Sequence, residues 1–115
     1  MTKSYLQITR SISASLAKLR ADKPDIMKSF SALAAAATVD GALSRKMKEL
    51  IALAIGVAGH CDGCIGFHIQ TLVKLQATRG EIEEALGVAV YMGGGPSLMY
   101  AADALDAFEE LSPPN

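Results

Sequence analysis

Apolar residues recur every three or four positions along most of this chain, which is the spacing that one face of an α-helix requires. No run of four alternating apolar and polar residues bounded by turn residues occurs, so strands are not predicted. Alanine, the best helix former, supplies 19 of the 115 residues. Spacing and composition together predict an all-α fold. The apolar stripe of the first helix illustrates the pattern: Tyr5, Ile8, Ile12, Leu16 and Leu19.

Turn residues divide this pattern into six predicted helices, which we assign to a single domain spanning residues 1–115. The first helix is predicted over residues 4–20, and Pro24 fits the first turn of the second helix. Ser44 is a suitable N-cap for the third helix, which ends at Gly59. Five side chains of the third helix are predicted to be buried: Met47, Leu50, Ile51, Ala54 and Val57.

The second half of the chain has similar helix boundaries. The fourth helix begins at the two cysteines of the chain, and Thr78 and Glu81 have the spacing of a capping box at the start of the fifth helix. The glycines at 93–95 end the fifth helix, and Pro96 fits the first turn of the sixth. The predicted apolar stripe of the sixth helix is Leu98, Ala102, Leu105 and Phe108.

The net charge of −1 conceals a division of charge along the chain. Residues 1–48 carry nine basic and three acidic side chains, whereas residues 49–115 carry two basic and nine acidic ones. Most basic residues are spaced singly, and only those at 45–48 lie close together. We interpret them as solvated helix faces and predict no nucleic-acid partner.

The start of the chain lacks the apolar segment of a secretory signal, and its longest apolar stretch, residues 50–59, is far shorter than the roughly 20 residues of a membrane span. We therefore expect a cytoplasmic protein with no membrane partner. The many small apolar side chains make a modest core for a chain of this length. We expect part of the apolar surface to be buried against further copies in a homo-oligomer.

The residues with chemical potential lie between positions 49 and 68. Cys61 and Cys64 form a C-x-x-C motif, and His68 follows four residues after the second cysteine, so all three fall on one side of the fourth helix. The unpaired N–H groups at a helix N-terminus favour a thiolate there. If the third and fourth helices form a hairpin, Glu49 can point toward the cysteine end and act as a base.

This pattern predicts a redox site in which one cysteine becomes a sulfenic acid and the other condenses with it to a disulfide. Structural zinc is the main rival, since Cys61, Cys64 and His68 with His60 could supply four ligands, although zinc usually draws on two separated pairs. A thioredoxin-type site is less favoured because no strand precedes the motif. His60 either tunes the site or is an ordinary loop residue.

At these residues the chain resembles the carboxymuconolactone decarboxylase-like superfamily, specifically its alkylhydroperoxidase D-like branch. The shared pattern comprises Glu49, the C-x-x-C pair, His68 and the segment GEIEEAL at 80–86. The resemblance runs from about position 30 to position 108, so the first predicted helix lies outside it. Gly63 stands where the best-known members of the branch have a histidine, and those proteins carry roughly one further helical unit.

The resemblance implies an all-α fold that assembles into trimers or hexamers, with a thiol-dependent hydroperoxidase activity. We expect no cofactor. It implies that Cys64 is the peroxidatic nucleophile, Cys61 the proton donor and resolving partner, and Glu49 with His68 the groups that ionise the thiols. The implied partners are a small hydroperoxide and a dithiol or lipoylated protein as reductant.

The main alternative function is a disulfide-exchange or redox-sensing module that does not reduce peroxide. A metal-stabilised helical module is less favoured. A lactone decarboxylase is also less favoured, because the decarboxylases of the superfamily lack the cysteine pair.

Overall fold

The computed structural model describes residues 2–114, which form six helices: α1 (Tyr5–Asp22), α2 (Pro24–Thr38), α3 (Arg45–Ala58), α4 (Asp62–Lys74), α5 (Arg79–Gly93) and α6 (Gly95–Leu111). The predicted all-α fold and its six helices are confirmed, and no strand occurs in this range. None of these helices is both long and apolar enough to cross a membrane.

Side-chain caps fix the helix starts where the sequence predicts them. The Ser44 hydroxyl accepts a hydrogen bond from the Met47 N–H at 3.1 Å. At the start of α5, the Thr78 hydroxyl accepts from the Glu81 N–H at 3.1 Å and the Glu81 carboxylate accepts from the Thr78 N–H at 2.9 Å. This reciprocal pair confirms the capping box.

The hydrophobic core lies where α3, α4, α5 and α6 pack against one another. α6 contributes small side chains to it, and α1 lies against α4 and inserts the ring of Tyr5, which is fully buried. Burying these apolar surfaces is the main term that stabilises the fold. The largest fully buried aliphatic side chains are Leu53, Val57, Ile65, Ile69, Leu72 and Ile82.

Two predicted burial patterns are wrong in part. On α3, Leu50 and Val57 are buried as predicted, but Met47 and Ile51 are 46% and 44% exposed. On α6 the predicted stripe is only partly buried, with Leu98 51% exposed, because the helix turns another face to the core. An alanine-rich helix has apolar residues on more than one face, so spacing alone does not identify the packed one. The buried face of α6 is Ser97, Ala101, Ala104 and Ala107.

α2 packs against α1 and α3, but its side chains are exposed or half-buried throughout. Its large apolar residues face outward: Ile26, Phe30 and Leu33 are 59%, 67% and 65% exposed. The pattern that predicts an amphipathic helix is therefore present, yet its apolar face is not covered by the rest of the described chain, residues 2–114.

Candidate active site

Cys61 and Cys64 form a disulfide at the N-terminus of α4, with their Cα atoms 5.2 Å apart. Cys61 is the N-cap residue, and its Sγ accepts a hydrogen bond from the Cys64 N–H at 3.1 Å. Both residues are half-buried. A sulfur that caps a helix lies at the positive end of the helix dipole, so this position favours a negatively charged sulfur after reduction.

A tight turn brings the cysteines back against α3. His60 has a left-handed backbone with φ of 55°, and the Cys61 N–H donates to the Gly56 carbonyl at 2.9 Å. Gly56 is fitted closely to the site, since a Cβ built there would lie 3.0 Å from the Cβ of Cys64. Sequence reasoning missed this residue. The sequence does contain a signal for this residue, because a glycine inside an otherwise apolar helix often marks close packing.

Glu49 of α3 and His68 of α4 form a hydrogen-bonded pair, with 2.7 Å between Oε2 and Nδ1. The Glu49 side chain is only 6% exposed, whereas that of His68 is 31% exposed. When Nδ1 carries the proton and donates to Glu49, the neutral imidazole presents Nε2 as an acceptor. His68 lies one helical turn after Cys64, so the pair occupies the helix face that bears the cysteine.

The four sequence-predicted site residues therefore meet in the hairpin formed by α3 and α4. The structure brings Cys61 to Cys64 and Glu49 to His68. The Glu49 carboxylate contacts the imidazole of His68. The catalytic roles of all four residues stay predictions.

His60 lies beside the motif on the solvent-exposed turn. Its ring stacks on that of Tyr100 from α6, with centroids 4.8 Å apart and an interplanar angle of 3°. This contact anchors the turn that leads into the cysteines.

A polar cluster that sequence reasoning missed surrounds Asp62, the residue that follows Cys61. Asp62 accepts hydrogen bonds from the Tyr5 hydroxyl at 2.8 Å and from the Lys3 ammonium at 3.1 Å. Lys3 also donates to Asp103 of α6 at 2.8 Å. Burial raises the pKa of Tyr5, and the bond to Asp62 raises it further, so the phenol stays protonated and donates. The pKa of Lys3 is also raised, chiefly by its hydrogen bond to Asp103.

α1 fills the space above the cysteine motif. A Cβ at Gly63 would lie 2.8 Å from the Cδ1 of Ile12, and one at Gly66 would lie 2.6 Å from the Cγ2 of Thr9. Both glycines allow α1 to pack directly on the first turns of α4. Contacts between residues so distant in the chain leave no local signal in the sequence.

The zinc alternative gains no support from this arrangement. Within the described range 2–114, no three His, Cys, Asp or Glu side chains are grouped as a metal site requires. The two sulfurs that would serve as ligands are joined to each other.

Comparison with known proteins gives consistent matches. The family model described as carboxymuconolactone decarboxylase family matches residues 24–107. A solved structure, the apo form of a carboxymuconolactone decarboxylase family protein from Legionella pneumophila, is similar with a TM-score of 0.93 and 65% identity, covering 95% of this chain and 97% of that one.

Two curated relatives are uncharacterised. A protein of Cupriavidus necator is 42% identical over 90 residues, which are 78% of this chain and 80% of that protein. Uncharacterised protein 4 in the cox locus of Paracoccus denitrificans is 33% identical over 99 residues, which are 86% of this chain and 89% of that protein. The family match covers most of the helical core and the whole α3–α4 hairpin. The chain belongs to the carboxymuconolactone decarboxylase family.

Proposed function

We propose that this protein is a thiol-dependent hydroperoxide reductase that cycles between a dithiol and the Cys61–Cys64 disulfide. The observation that carries the proposal is this disulfide at the N-terminus of α4, one turn before a histidine held by a buried glutamate. The carboxymuconolactone decarboxylase family includes both decarboxylases and alkylhydroperoxidases. A cysteine pair able to close a disulfide favours the second activity.

In the first step the Cys64 thiolate attacks the terminal oxygen of the hydroperoxide. An S–O bond forms, the O–O bond breaks, and the alkoxide takes up a proton and leaves as an alcohol. Cys64 is thereby oxidised to a sulfenic acid, and the peroxide is reduced by two electrons.

In the second step the Cys61 thiolate attacks the sulfur of Cys64. The S–S bond forms, the S–O bond breaks, and the departing hydroxide takes up a proton to give water. An external dithiol then reduces the disulfide and becomes a disulfide itself. A small dithiol and a lipoylated protein both have the chemistry that this last exchange needs.

The surroundings of each sulfur suit these roles. The Sγ of Cys61 accepts a hydrogen bond from the Cys64 N–H at the helix N-terminus. This bond stabilises the Cys61 thiolate that must attack in the second step. Cys64 lies one turn before His68, whose Nε2 could accept the thiol proton while Nδ1 holds the Glu49 carboxylate. Glu49 fixes the ring orientation and stabilises the imidazolium that forms.

Stopped-flow reaction of the reduced protein with an alkyl hydroperoxide tests the proposal, with free thiols counted after the reaction. We expect rapid loss of two thiols per chain. Cys64→Ser should abolish the fast reaction, whereas Cys61→Ser should leave a sulfenic acid on Cys64 that dimedone traps. Glu49→Gln keeps the shape of the carboxyl group without its charge and should slow the first step by about a hundredfold.

Two outcomes would change the assignment. If Cys64→Ser retains full reaction and Cys61→Ser loses it, the roles of the cysteines are exchanged. If the wild-type dithiol consumes peroxide no faster than free cysteine but exchanges readily with other disulfides, the protein is a disulfide-exchange module. The N-cap position of Cys61 makes that second function the main competitor, because a capped sulfur is suited to thiol–disulfide exchange.

A further inference from the structure

Lys3 reaches the cysteine motif from outside the region matched by the family model, which begins at residue 24. Its ammonium lies 3.1 Å from the Asp62 carboxylate, which belongs to the residue between Cys61 and Gly63. The side chains of Lys3 and Asp62 are about one third exposed, at 34% and 36%. The N-terminal segment thus places a positive charge on the acidic group nearest in sequence to the two sulfurs.

The geometry points to Lys3 as a positioning residue that acts through Asp62 to keep the reduced cysteine pair reactive. This inference rests on the proposed dithiol–disulfide cycle. Asp62 follows Cys61 directly and stands in the first turn of α4, so its negative charge opposes the formation of a thiolate at Cys61 or Cys64. Lys3 offsets that charge.

The N-terminal segment is built to hold Lys3 in this place. The Tyr5 N–H and the Ser4 hydroxyl donate to the Glu110 carboxylate at 2.7 Å and 2.6 Å. The buried Tyr5 ring directs its hydroxyl to Asp62 as well. Lys3 is therefore anchored from both sides.

The charges near the cysteines decide the direction of the effect. Lys3 with Asp62 and Asp103 has a summed charge of −1 when all three are ionised. Replacing Lys3 by a neutral residue makes the sum −2, and replacing Asp62 by asparagine makes it 0. The other titratable groups packed around the motif are the same in each variant: Glu49 on α3, His60 on the turn, His68 on α4, Tyr5 on α1 and Tyr100 on α6.

Alkylation of the fully reduced protein by iodoacetamide, followed across pH at low ionic strength, measures the thiolate directly. With Lys3→Gln we expect the rate at pH 7 to fall about threefold and the pH midpoint to rise, because loss of a partly screened positive charge disfavours the thiolate modestly. Asp62→Asn should shift both quantities the other way. Lys3→Arg should restore wild-type behaviour, and the Lys3→Gln effect should shrink in 1 M salt.

Lys18→Gln is the matched control, because it removes the same charge from an exposed position of α1 that lies about 20 Å along the helix from Tyr5. It should alkylate at the wild-type rate. Equal rates for wild type and Lys3→Gln would overturn the inference, and so would an equal loss in Lys18→Gln, which would indicate an effect of net charge alone. The alkylation rates test the role of Lys3 and do not test peroxide reduction. If the wild-type protein fails to react rapidly with peroxide, the proposed function is wrong, and the alkylation rates of the variants still decide whether Lys3 affects the thiolate.

Discussion

Glycine residues control how closely α3 and α1 approach the cysteine pair. Gly56 on α3 faces Cys64, and Gly63 and Gly66 on α4 face α1. Any larger side chain at Gly56 must displace the Cβ of Cys64, which is attached directly to the backbone. At Gly63 the nearest atom is the tip of a flexible isoleucine, which can move at lower cost.

Gly56→Ala should therefore destabilise the protein even though alanine favours helix. Overpacking typically costs about 1–3 kcal/mol, and the helix propensity of alanine offsets up to about 1 kcal/mol, so we expect a net loss of about 1 kcal/mol. Closure of the disulfide from the dithiol should also slow, because the variant shifts Cys64. Urea unfolding and stopped-flow thiol loss would measure the two effects.

Gly87→Ala is the matched control on α5. Among the described residues, nothing lies within 4 Å of a Cβ built at Gly87, and the residue is exposed. This substitution should stabilise the protein by about 0.5–1 kcal/mol and leave disulfide closure unchanged. A Gly56→Ala variant as stable as Gly87→Ala would show that the α3–α4 contact is not as close as the structure indicates.

At the scale of single residues, sequence reasoning could find the site but not its surroundings. Cys64 and His68 are four residues apart on one helix, so helix geometry alone predicts that they share a face. The Glu49–His68 contact requires only that α3 and α4 form a hairpin, so the sequence could also have predicted it. Lys3 and Asp62 meet across 59 residues, and a scattered lysine near the start of a chain has no periodicity that would reveal its partner.

At the scale of the elements, α5 is held at its start by both a capping box and an ion pair. The Glu81 carboxylate accepts from the Thr78 N–H and pairs with Lys46 of α3 at 2.9 Å. These contacts, the Lys46 hydrogen bond first, lower the pKa of Glu81 below its ordinary value of 4.5. The stabilisation is therefore present above that ordinary value and is lost as the pH falls through the lowered pKa.

The capping contacts of α5 give a pH-dependent prediction. Thr78→Ala should cost about 1 kcal/mol at neutral pH. Glu81→Gln should lower stability at pH 7 and should reduce the further loss that the wild type shows as the pH falls below the ordinary Glu value of 4.5 and through the lowered pKa. Urea unfolding at each pH would measure this. Glu84→Gln removes a charge from the same helix and should keep the wild-type pH dependence. Identical profiles of stability against pH for the wild type, Glu81→Gln and Glu84→Gln would contradict the prediction.

Helix boundaries were predictable because caps are local, whereas buried faces were not. Ser44 and Thr78 bond to N–H groups three residues away, so their roles depend on short segments only. The choice of face on α6 depends on how closely α6 approaches the other core helices. A face of alanines and Ser97 lets it pack closely, and that advantage outweighs burial of the larger Leu98.

At the scale of the whole molecule, large apolar side chains remain outside on several helices. Phe30 and Leu33 on α2, Ile55 on α3 and Met99 on α6 are all more than 60% exposed. An apolar cleft of about 330 Å³ also opens between α3 and α5, and Met47 and Ile51 are among its lining residues. Exposed apolar surface on this scale is typical of a face that another protein covers.

The predicted homo-oligomer explains these faces better than a marginal monomer does. α2 has an apolar face but places no large side chain in the core. In a monomer, α2 would therefore gain little stability from tertiary packing. Burying Phe30 alone would contribute about 1.5–3 kcal/mol per chain. A helix this poorly buried can be well ordered when a second copy covers it, and the family membership of residues 24–107 includes α2 in the shared fold.

Sedimentation velocity tests this assembly directly. We expect the wild-type protein to sediment as a multiple of one chain at micromolar concentration, and Phe30→Glu to shift it toward the mass of a single chain, because a buried carboxylate without a partner is costly. Gln76→Glu, on the exposed turn before α5, adds the same charge and should sediment as wild type. If the wild type is a monomer, or if Phe30→Glu leaves the mass unchanged while the helices remain folded by circular dichroism, the α2 face is not the contact between copies.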